Sequence, residues 1–142
     1  MNHESYSDFY LAEILRQTRV IALVGASPNP ERPSNRVMAF LLRKGYRVIP
    51  VNPGQAGKEI HGQKVYARLA DIPEPIDMID VFRAAHALPA LVGEVLALEP
   101  LPKAIWGQLT VHDDVAAAQA EAAGIKVVMD RCPAIEHPRL IG

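Results

Sequence analysis

Residues Val20–Ser27 have the sequence VIALVGAS, an apolar, β-branched run that ends in Gly-Ala-Ser. Such a run predicts a buried strand that leads the chain into a tight turn. After a proline-containing loop, Ser34 is the predicted N-cap of an amphipathic helix, Asn35–Lys44. A strand, a turn and a helix N-terminus together present backbone N–H groups and the positive end of a helix dipole. With the positive charge of Arg32 beside it, this arrangement suits the phosphate of a nucleotide.

The rest of the chain alternates short apolar runs with helical patterns of about ten residues or more. Gly45 and Gly124 each stop a helix in the usual C′ position, and Pro89 suggests that the third helix starts nearer Leu88. Phe9, Ile14 and Leu15 are expected on the apolar face of the first helix. The predicted helices are Tyr6–Gln17, Asn35–Lys44, about Ala84–Leu98 and His112–Ala123. The predicted strands are Val20–Val24, Tyr46–Val51, Ile76–Phe82, Lys103–Trp106 and Ile125–Met129, with a further short strand near Lys64-Val65 and a helical turn around Tyr66–Ala70.

This alternation predicts an α/β fold, a Rossmann-like doubly wound sheet of about five parallel strands with helices on both faces. One domain spans residues 1–142, and the helix within residues 1–17 packs on it. Ligands of such sheets bind beyond the carboxyl ends of the strands, where the strand order reverses. The loops expected at that edge are Gly25–Ser34, Val51–Lys58, Val81–Ala84, Trp106–Val111 and Asp130–Glu136.

Composition excludes several classes of partner. A net charge of −1 argues against a nucleic-acid partner, because binding to phosphate backbones needs a basic face. No apolar run approaches the roughly 20 residues of a membrane span. The polar segment Met1–Asp8 does not have the pattern of a signal peptide. A single cysteine, Cys132, cannot form an internal disulfide, so a cytoplasmic location is expected. The identity of any protein partner stays open.

The first turn differs from that of an NAD-binding protein. It has one glycine where G-x-G-x-x-G is usual, and the second strand ends at Asn52 in place of an acidic residue. No Asp or Glu lies between Glu31 and Glu59 to hold an unphosphorylated ribose. A ribose that carries a phosphate is still compatible, because Arg32, Arg36 and Lys58 are available to neutralise it. An NADP-linked oxidoreductase is therefore an alternative.

A series of short motifs resembles one protein family. The motifs are Val24-Gly25-Ala26-Ser27, Arg32-Pro33-Ser34, Gly45-Tyr46, Val48-Ile49-Pro50-Val51-Asn52-Pro53, Asp80-Val81-Phe82-Arg83, Trp106-Gly107-Gln108 and Asp130-Arg131-Cys132-Pro133. Together they resemble the small stand-alone bacterial CoA-binding proteins, which are similar to the N-terminal domain of the succinyl-CoA synthetase alpha subunit. The resemblance runs from about Thr18 to the C-terminus and implies coenzyme A as the ligand.

The resemblance also implies roles for single residues. The backbone of Gly25, Ala26 and Ser27 would hold CoA phosphates, with Arg32, Pro33 and Ser34 beside them. Val51, Asn52 and Pro53 would line the adenosine end, Val81, Phe82 and Arg83 would border the pyrophosphate or pantetheine, and Trp106 and Gln108 would lie beside the pantetheine arm. Two positions depart from the family pattern: Lys58 is a substitute for a lysine that relatives carry nearer the second strand, and Thr110 replaces a glycine and would narrow the pantetheine channel.

Several of these residues also have a purely structural interpretation. Trp106 suits a core as well as a pocket wall, and Asn52 suits its turn alone. Cys132 follows Arg131, whose charge would favour a thiolate able to form a mixed disulfide with CoA. The alternative is a small, buried and inert side chain, which is the commoner state of a free cysteine.

No catalytic motif is evident. The five histidines lack metal-ligand spacing, and none stands beside a nucleophile. The acidic pairs Asp77/Asp80 and Asp113/Asp114 have structural explanations, at a strand start and in a first helical turn. The sequence thus favours a non-catalytic protein that binds CoA or acyl-CoA and sequesters, senses or presents it. A CoA-regulated protein-interaction module is a further alternative.

Overall fold

The computed structural model describes all residues, 1–142, and contains a five-stranded parallel sheet. Its strands are β1 (Val20–Val24), β2 (Arg47–Val51), β5 (Met78–Val81), β6 (Ala104–Gly107) and β7 (Lys126–Val128). A small antiparallel hairpin adds β3 (Glu59–Ile60) and β4 (Gln63–Lys64). The helices are α1 (Asp8–Gln17), α2 (Pro33–Arg43), α3 (Leu88–Leu96), α4 (Asp114–Ala122) and α5 (Pro133–Leu140).

The strand order is β2-β1-β5-β6-β7. The chain runs outward from β1 to β2, returns to place β5 on the other side of β1, and then continues to β6 and β7. The order therefore reverses between β1 and β5, which is where ligands bind in doubly wound sheets. The predicted α/β Rossmann-like fold is confirmed.

Alternating residues of the strands supply two apolar layers. Ala22, Ile79 and Ile105 pack with α3 and α4 on one face of the sheet. Leu23, Met78 and Trp106 pack with α1 and α2 on the other, where α5 also lies. Burial on both faces explains why the strands read as continuous apolar runs. None of the helices has the length and apolar character needed to cross a membrane.

Helix boundaries follow their caps. The Ser7 Oγ accepts a hydrogen bond from the Tyr10 N–H to start α1, and the Asp113 carboxylate accepts one from the Ala116 N–H to start α4. The prediction that the third helix begins near Leu88 is confirmed. The prediction of Ser34 as an N-cap is wrong, because the helix begins at Pro33 with Arg32 as its N-cap. Proline favours the first helical position, since its missing N–H costs nothing there.

Two further expectations need correction. Phe9 is 74% exposed and does not belong to the buried face of α1, which Leu11, Ile14 and Leu15 form instead. The segment Asp130–Glu136 was expected to be a loop throughout, but α5 begins within it at Pro133. Pro138 inside this helix breaks the usual sequence signal for a helix.

Candidate functional site

The carboxyl ends of β1 and β5 approach each other closely at Gly25. This residue has φ of +89°, a conformation that glycine adopts without strain. A Cβ atom at this position would overlap the carbonyl oxygen of Phe82, the first residue after β5. Glycine is therefore required at this position for two reasons, the positive φ of the turn and the close approach of the Phe82 carbonyl oxygen. Three adjoining concavities open around this point.

The first concavity, here called the turn hollow, has a volume of about 340 Å³. Seven of its eight lining residues come from the two predicted loops at the ends of β1 and β2: Gly25, Ala26, Ser27, Arg32, Pro33, Ser34 and Asn52. Phe82 completes it. The structure thus brings together the six residues expected from the first turn, but only Asn52 of the three expected from the second strand, since Val51 and Pro53 line a neighbouring concavity.

The backbone donors of the turn are partly engaged. The N–H groups of Gly25 and Ala26 both donate to the Val51 carbonyl oxygen, at 3.0 and 3.3 Å. The N–H groups of Ser27 and Ser34 make no hydrogen bond within the protein, as expected for a turn and for the first turn of a helix. Fewer backbone N–H groups are therefore free to bind an anion than the sequence indicated, and the free ones belong to Ser27 and Ser34.

Asn52 fixes the shape of the turn hollow. Its Nδ2 donates to the Ala26 carbonyl oxygen at 2.7 Å, and its Oδ1 accepts from the Gly54 N–H at 2.8 Å. Both polar ends of the side chain are therefore occupied by backbone groups. Asn52 therefore stabilises its turn, as its structural interpretation predicted, and it also lines the turn hollow.

The second concavity, the strand-end slot, lies beside the ends of β1 and β2 and faces α3. It has a volume of about 380 Å³ and a mainly apolar wall that includes Val24, Val51, Leu69 and Leu91. Two exposed cations, Arg68 and Arg83, and the carboxylate of Glu94 lie along it. Arg68 pairs with Asp71 at 3.4 Å, whereas Arg83 forms no ion pair. Pro53 also lines the slot. A flat apolar group with a nearby negative charge suits this slot.

The third concavity, the loop pocket, lies between the N-terminus of α2 and the loops after β5 and β6. Its volume is about 370 Å³. Phe82 separates it from the turn hollow, and Arg83 lines both this pocket and the strand-end slot. Val37, Gln108 and Cys132 are further members of its wall. The three concavities thus adjoin one another along the carboxyl edge of the sheet and are together called the groove.

A buried carboxyl group lies behind the loop pocket. Asp80 of β5 is completely buried between Leu23 and Trp106, its neighbours across the sheet. Burial raises its pKa to about 7, although the hydrogen bond that Gln108 Nε2 donates to Oδ1 at 2.9 Å opposes this. The other oxygen, Oδ2, has no hydrogen-bond partner. The sequence indicates only a structural role for Asp80, although an aspartate inside an apolar strand is itself a sign of an unusual carboxyl group.

Cys132 is the N-cap of α5 and is 8% exposed. Burial raises the pKa of its thiol, and the nearby carboxyl groups of Asp80 and Glu136 add to this. The expectation that Arg131 favours a thiolate is wrong. The Arg131 guanidinium lies 5.1 Å from the Tyr6 ring and donates to the Glu4 carbonyl oxygen instead. The environment matches the alternative of a buried, unreactive side chain.

Three of the expected ligand residues do not reach the groove. Trp106 is fully buried and its Nε1 donates to the Arg131 carbonyl oxygen at 3.0 Å, so it belongs to the core. Val81 is likewise buried within β5. Lys58 is exposed and is not among the residues that line the three concavities. A short motif does not show which of its residues the fold buries or turns away from the groove.

The most voluminous hollow of the molecule, about 530 Å³, lies elsewhere. It is formed by the N-terminal residues and α4. Its buried imidazole, His3, is fully engaged, with Nδ1 bonded to the Tyr6 hydroxyl and Nε2 to Glu121. This hollow therefore reflects how the N-terminal segment is anchored, and the groove at the carboxyl edge is the better candidate site.

Comparisons with known proteins identify relatives along nearly the whole chain. A model of the CoA binding domain family matches residues 19–138. A solved structure from Thermus thermophilus has 41% identity and a TM-score of 0.89, and the match covers 96% of this chain and 100% of that one. The uncharacterized protein YneT of Bacillus subtilis is 34% identical over 127 residues, which are 89% of this chain and 91% of YneT.

A larger protein shares only part of its length. The alpha subunit of acetate–CoA ligase [ADP-forming] I from Pyrococcus furiosus is 31% identical over 86 residues. These residues are 58% of this chain but 19% of the ligase subunit. The homology therefore concerns one domain of the ligase subunit.

Proposed function

This chain belongs to the CoA binding domain family, and on that premise we propose that it binds coenzyme A in the groove at the carboxyl edge of its sheet. The resemblance indicated by the motifs is confirmed. The observation that carries the proposal is the meeting of three different concavities at one edge of the sheet. The apolar slot, the hollow with free N–H donors and the second pocket offer the kinds of surface that the adenosine, the diphosphate and the pantetheine arm of CoA require.

The turn hollow is the proposed diphosphate site. It offers the free N–H groups of Ser27 and Ser34, the N-terminus of α2 and the exposed guanidinium of Arg32. A helix N-terminus and unpaired backbone donors are a general anion site. Arg32 forms no ion pair with the protein, so its charge is available to a phosphate.

The strand-end slot is the proposed adenosine site. Apolar side chains such as Leu69 and Leu91 suit the faces of a purine, and Arg83, which forms no ion pair, offers charge to a phosphorylated ribose. The loop pocket then receives the pantetheine arm, with Val37 and Phe82 against its apolar parts. Gln108 is a polar member of this wall, and the resemblance implied a position beside the pantetheine arm for it.

We propose that the protein binds CoA without transforming it and sequesters, senses or presents the cofactor. The thiol of Cys132, which lines the loop pocket, is buried and its pKa is raised, and the buried Asp80 lies behind that pocket without lining it. The supporting contacts are thus those of a binding site. A role in sensing would require that an interaction surface respond to the bound cofactor.

Titration calorimetry with CoA, NAD and NADP tests this proposal. We expect binding of CoA with both dinucleotides silent, and a binding of NADP alone would favour the oxidoreductase alternative. In Arg32→Gln, CoA affinity should fall about tenfold or more, because a hydrogen bond to a charged group contributes about 1.5–3 kcal/mol. Arg43→Gln, in the last turn of the same helix, is the matched control and should bind as the wild type does. Equal affinities of the two variants would contradict the assignment of the turn hollow.

A further inference from the structure

The loop that closes the loop pocket is held in an unusual conformation at Thr110. Its φ is +73°, which is a strained value for a β-branched side chain. Asp130, itself at φ +56°, holds it there by accepting a hydrogen bond from the Thr110 N–H at 2.6 Å. A glycine would make this turn without strain. The threonine side chain is therefore kept on the wall of the pocket at a cost to the backbone.

The side-chain amide of Gln108, on the same wall, is also held by a hydrogen bond. Gln108 donates its Nε2 hydrogen to Oδ1 of the buried Asp80. Its Oε1 accepts no hydrogen bond from the protein and is not sealed off from solvent. Since Gln108 lines the loop pocket, its Oε1 is a free hydrogen-bond acceptor at the pocket wall. A ligand group that donates is favoured next to it, and a group that only accepts is not.

From these two features we infer that Thr110 and Gln108 make the loop pocket selective for CoA with a free thiol over acyl-CoA thioesters. This inference rests on the proposed function, because it concerns the end of the ligand that enters the same groove. A free thiol carries an S–H donor, whereas the sulfur and carbonyl oxygen of a thioester only accept. An acyl group must also pass the side chain of Thr110.

The size of the pocket supports the same conclusion. Its volume of about 370 Å³ is near the lower end of the roughly 300–1,000 Å³ typical of ligand sites. An acyl chain on a pantetheine arm bound in this pocket would lie against the segment from Leu109 to Val111, of which Thr110 is the strained centre.

Calorimetry with CoA and acetyl-CoA on the wild type, Thr110→Gly and Thr110→Ala tests the inference. We expect the wild type to bind CoA about tenfold or more tightly than acetyl-CoA, a ratio within reach of a pocket that rejects a small extra group. In Thr110→Gly the ratio should fall severalfold, because the gain in acetyl-CoA affinity exceeds any change in CoA affinity. The variant relieves strain, so it should fold at least as well as the wild type.

Thr110→Ala separates the side chain from the backbone. It removes the hydroxyl and methyl groups but keeps a Cβ atom at positive φ, so a similar fall in the ratio supports a direct role of the side chain. A fall in Thr110→Gly alone would assign the effect to loop freedom and overturn that role. Equal binding of CoA and acetyl-CoA by the wild type would overturn the selectivity and leave the proposed function intact. Failure of the wild type to bind either ligand would instead refute the proposed function.

Discussion

Asp80 is an ionisable residue at the centre of a sheet that is otherwise apolar. Desolvation disfavours its carboxylate form, and the hydrogen bond from Gln108 compensates only in part, which is why its pKa is about 7 in the folded protein. In the unfolded chain the value is near 3.8. Between about pH 4 and pH 7 the folded protein therefore binds more protons than the unfolded chain, and the free energy of unfolding falls as the pH rises.

We predict that Asp80→Asn flattens this dependence. The difference between the two pKa values corresponds to about 4 kcal/mol as an upper figure, because each pH unit contributes about 1.36 kcal/mol. The asparagine Oδ1 can still accept from Gln108, so the variant should fold. Urea unfolding at several pH values measures the effect. If the free energies of unfolding of wild type and variant changed in parallel over this pH range, the raised pKa of Asp80 would be contradicted.

The carboxyl group of Asp77 does not affect the comparison between wild type and Asp80→Asn. At Asp77, burial is outweighed by hydrogen bonds from the N–H groups of Val20 and Arg19, and the pKa is lowered. Its stabilising contribution is lost only as the pH falls below the ordinary range of aspartate, which is the opposite slope. Since both proteins retain Asp77, the difference between their curves reports Asp80. The sequence indicated the strand-opening position of Asp77, but neither pKa could be read from it.

At the scale of elements, the connection from β1 to α2 depends on one glycine. Gly25 and Gly124 share φ of +89°, but only Gly25 faces a backbone carbonyl, that of Phe82, at the position of a Cβ atom. Nothing lies within 4 Å of that position at Gly124. The two residues therefore separate the cost of a left-handed backbone from the cost of a steric overlap between neighbouring strands.

We predict that Gly25→Ala destabilises the protein more than Gly124→Ala does. The Gly124 variant should lose about 1–2 kcal/mol, the cost of a left-handed alanine. The Gly25 variant should lose that amount and in addition the cost of moving Phe82 away from the turn, and its affinity for CoA should fall as the groove shifts. Urea unfolding measures the first effect and calorimetry the second. Equal losses of stability would show that β5 yields freely, contrary to the packing described.

The sequence predicted well the strands and helices whose positions depend on residues close together in the chain. Continuous apolar runs identify the strands β1 and β2, and glycines mark the ends of α2 and α4. The helix α5 was missed because prolines at its start and interior mimic a loop. In the site, too, features with a local origin could be predicted and those that depend on distant residues could not. The loops that meet at β1 and β5 could be named from the fold rule, but which N–H groups stay free depends on the Val51 carbonyl oxygen, a partner distant in sequence.

At the scale of the whole molecule, the N-terminal segment protects the last strand of the sheet. Strand β7 is an edge, and an edge strand presents unpaired backbone groups. The Tyr10 hydroxyl donates to the Val127 carbonyl oxygen at 2.8 Å and accepts from the Val127 N–H at 3.0 Å. The Tyr6 hydroxyl accepts from the Met129 N–H at 2.8 Å. Two tyrosines thus replace a neighbouring strand, a tie that no local pattern predicts.

We predict that replacing both tyrosines, Tyr6→Phe with Tyr10→Phe, loosens this edge while the fold is retained. The amides of Val127 and Met129 should exchange their hydrogens faster, and the free energy of unfolding should fall by about 1–3 kcal/mol, because backbone groups lose their partners. Tyr66→Phe is the matched control, since its ring lies beside Lys64 Nζ and away from β7. Unchanged exchange at both amides would show that water serves the edge as well as the hydroxyls do. In that case the N-terminal segment would stabilise the sheet through its apolar face alone.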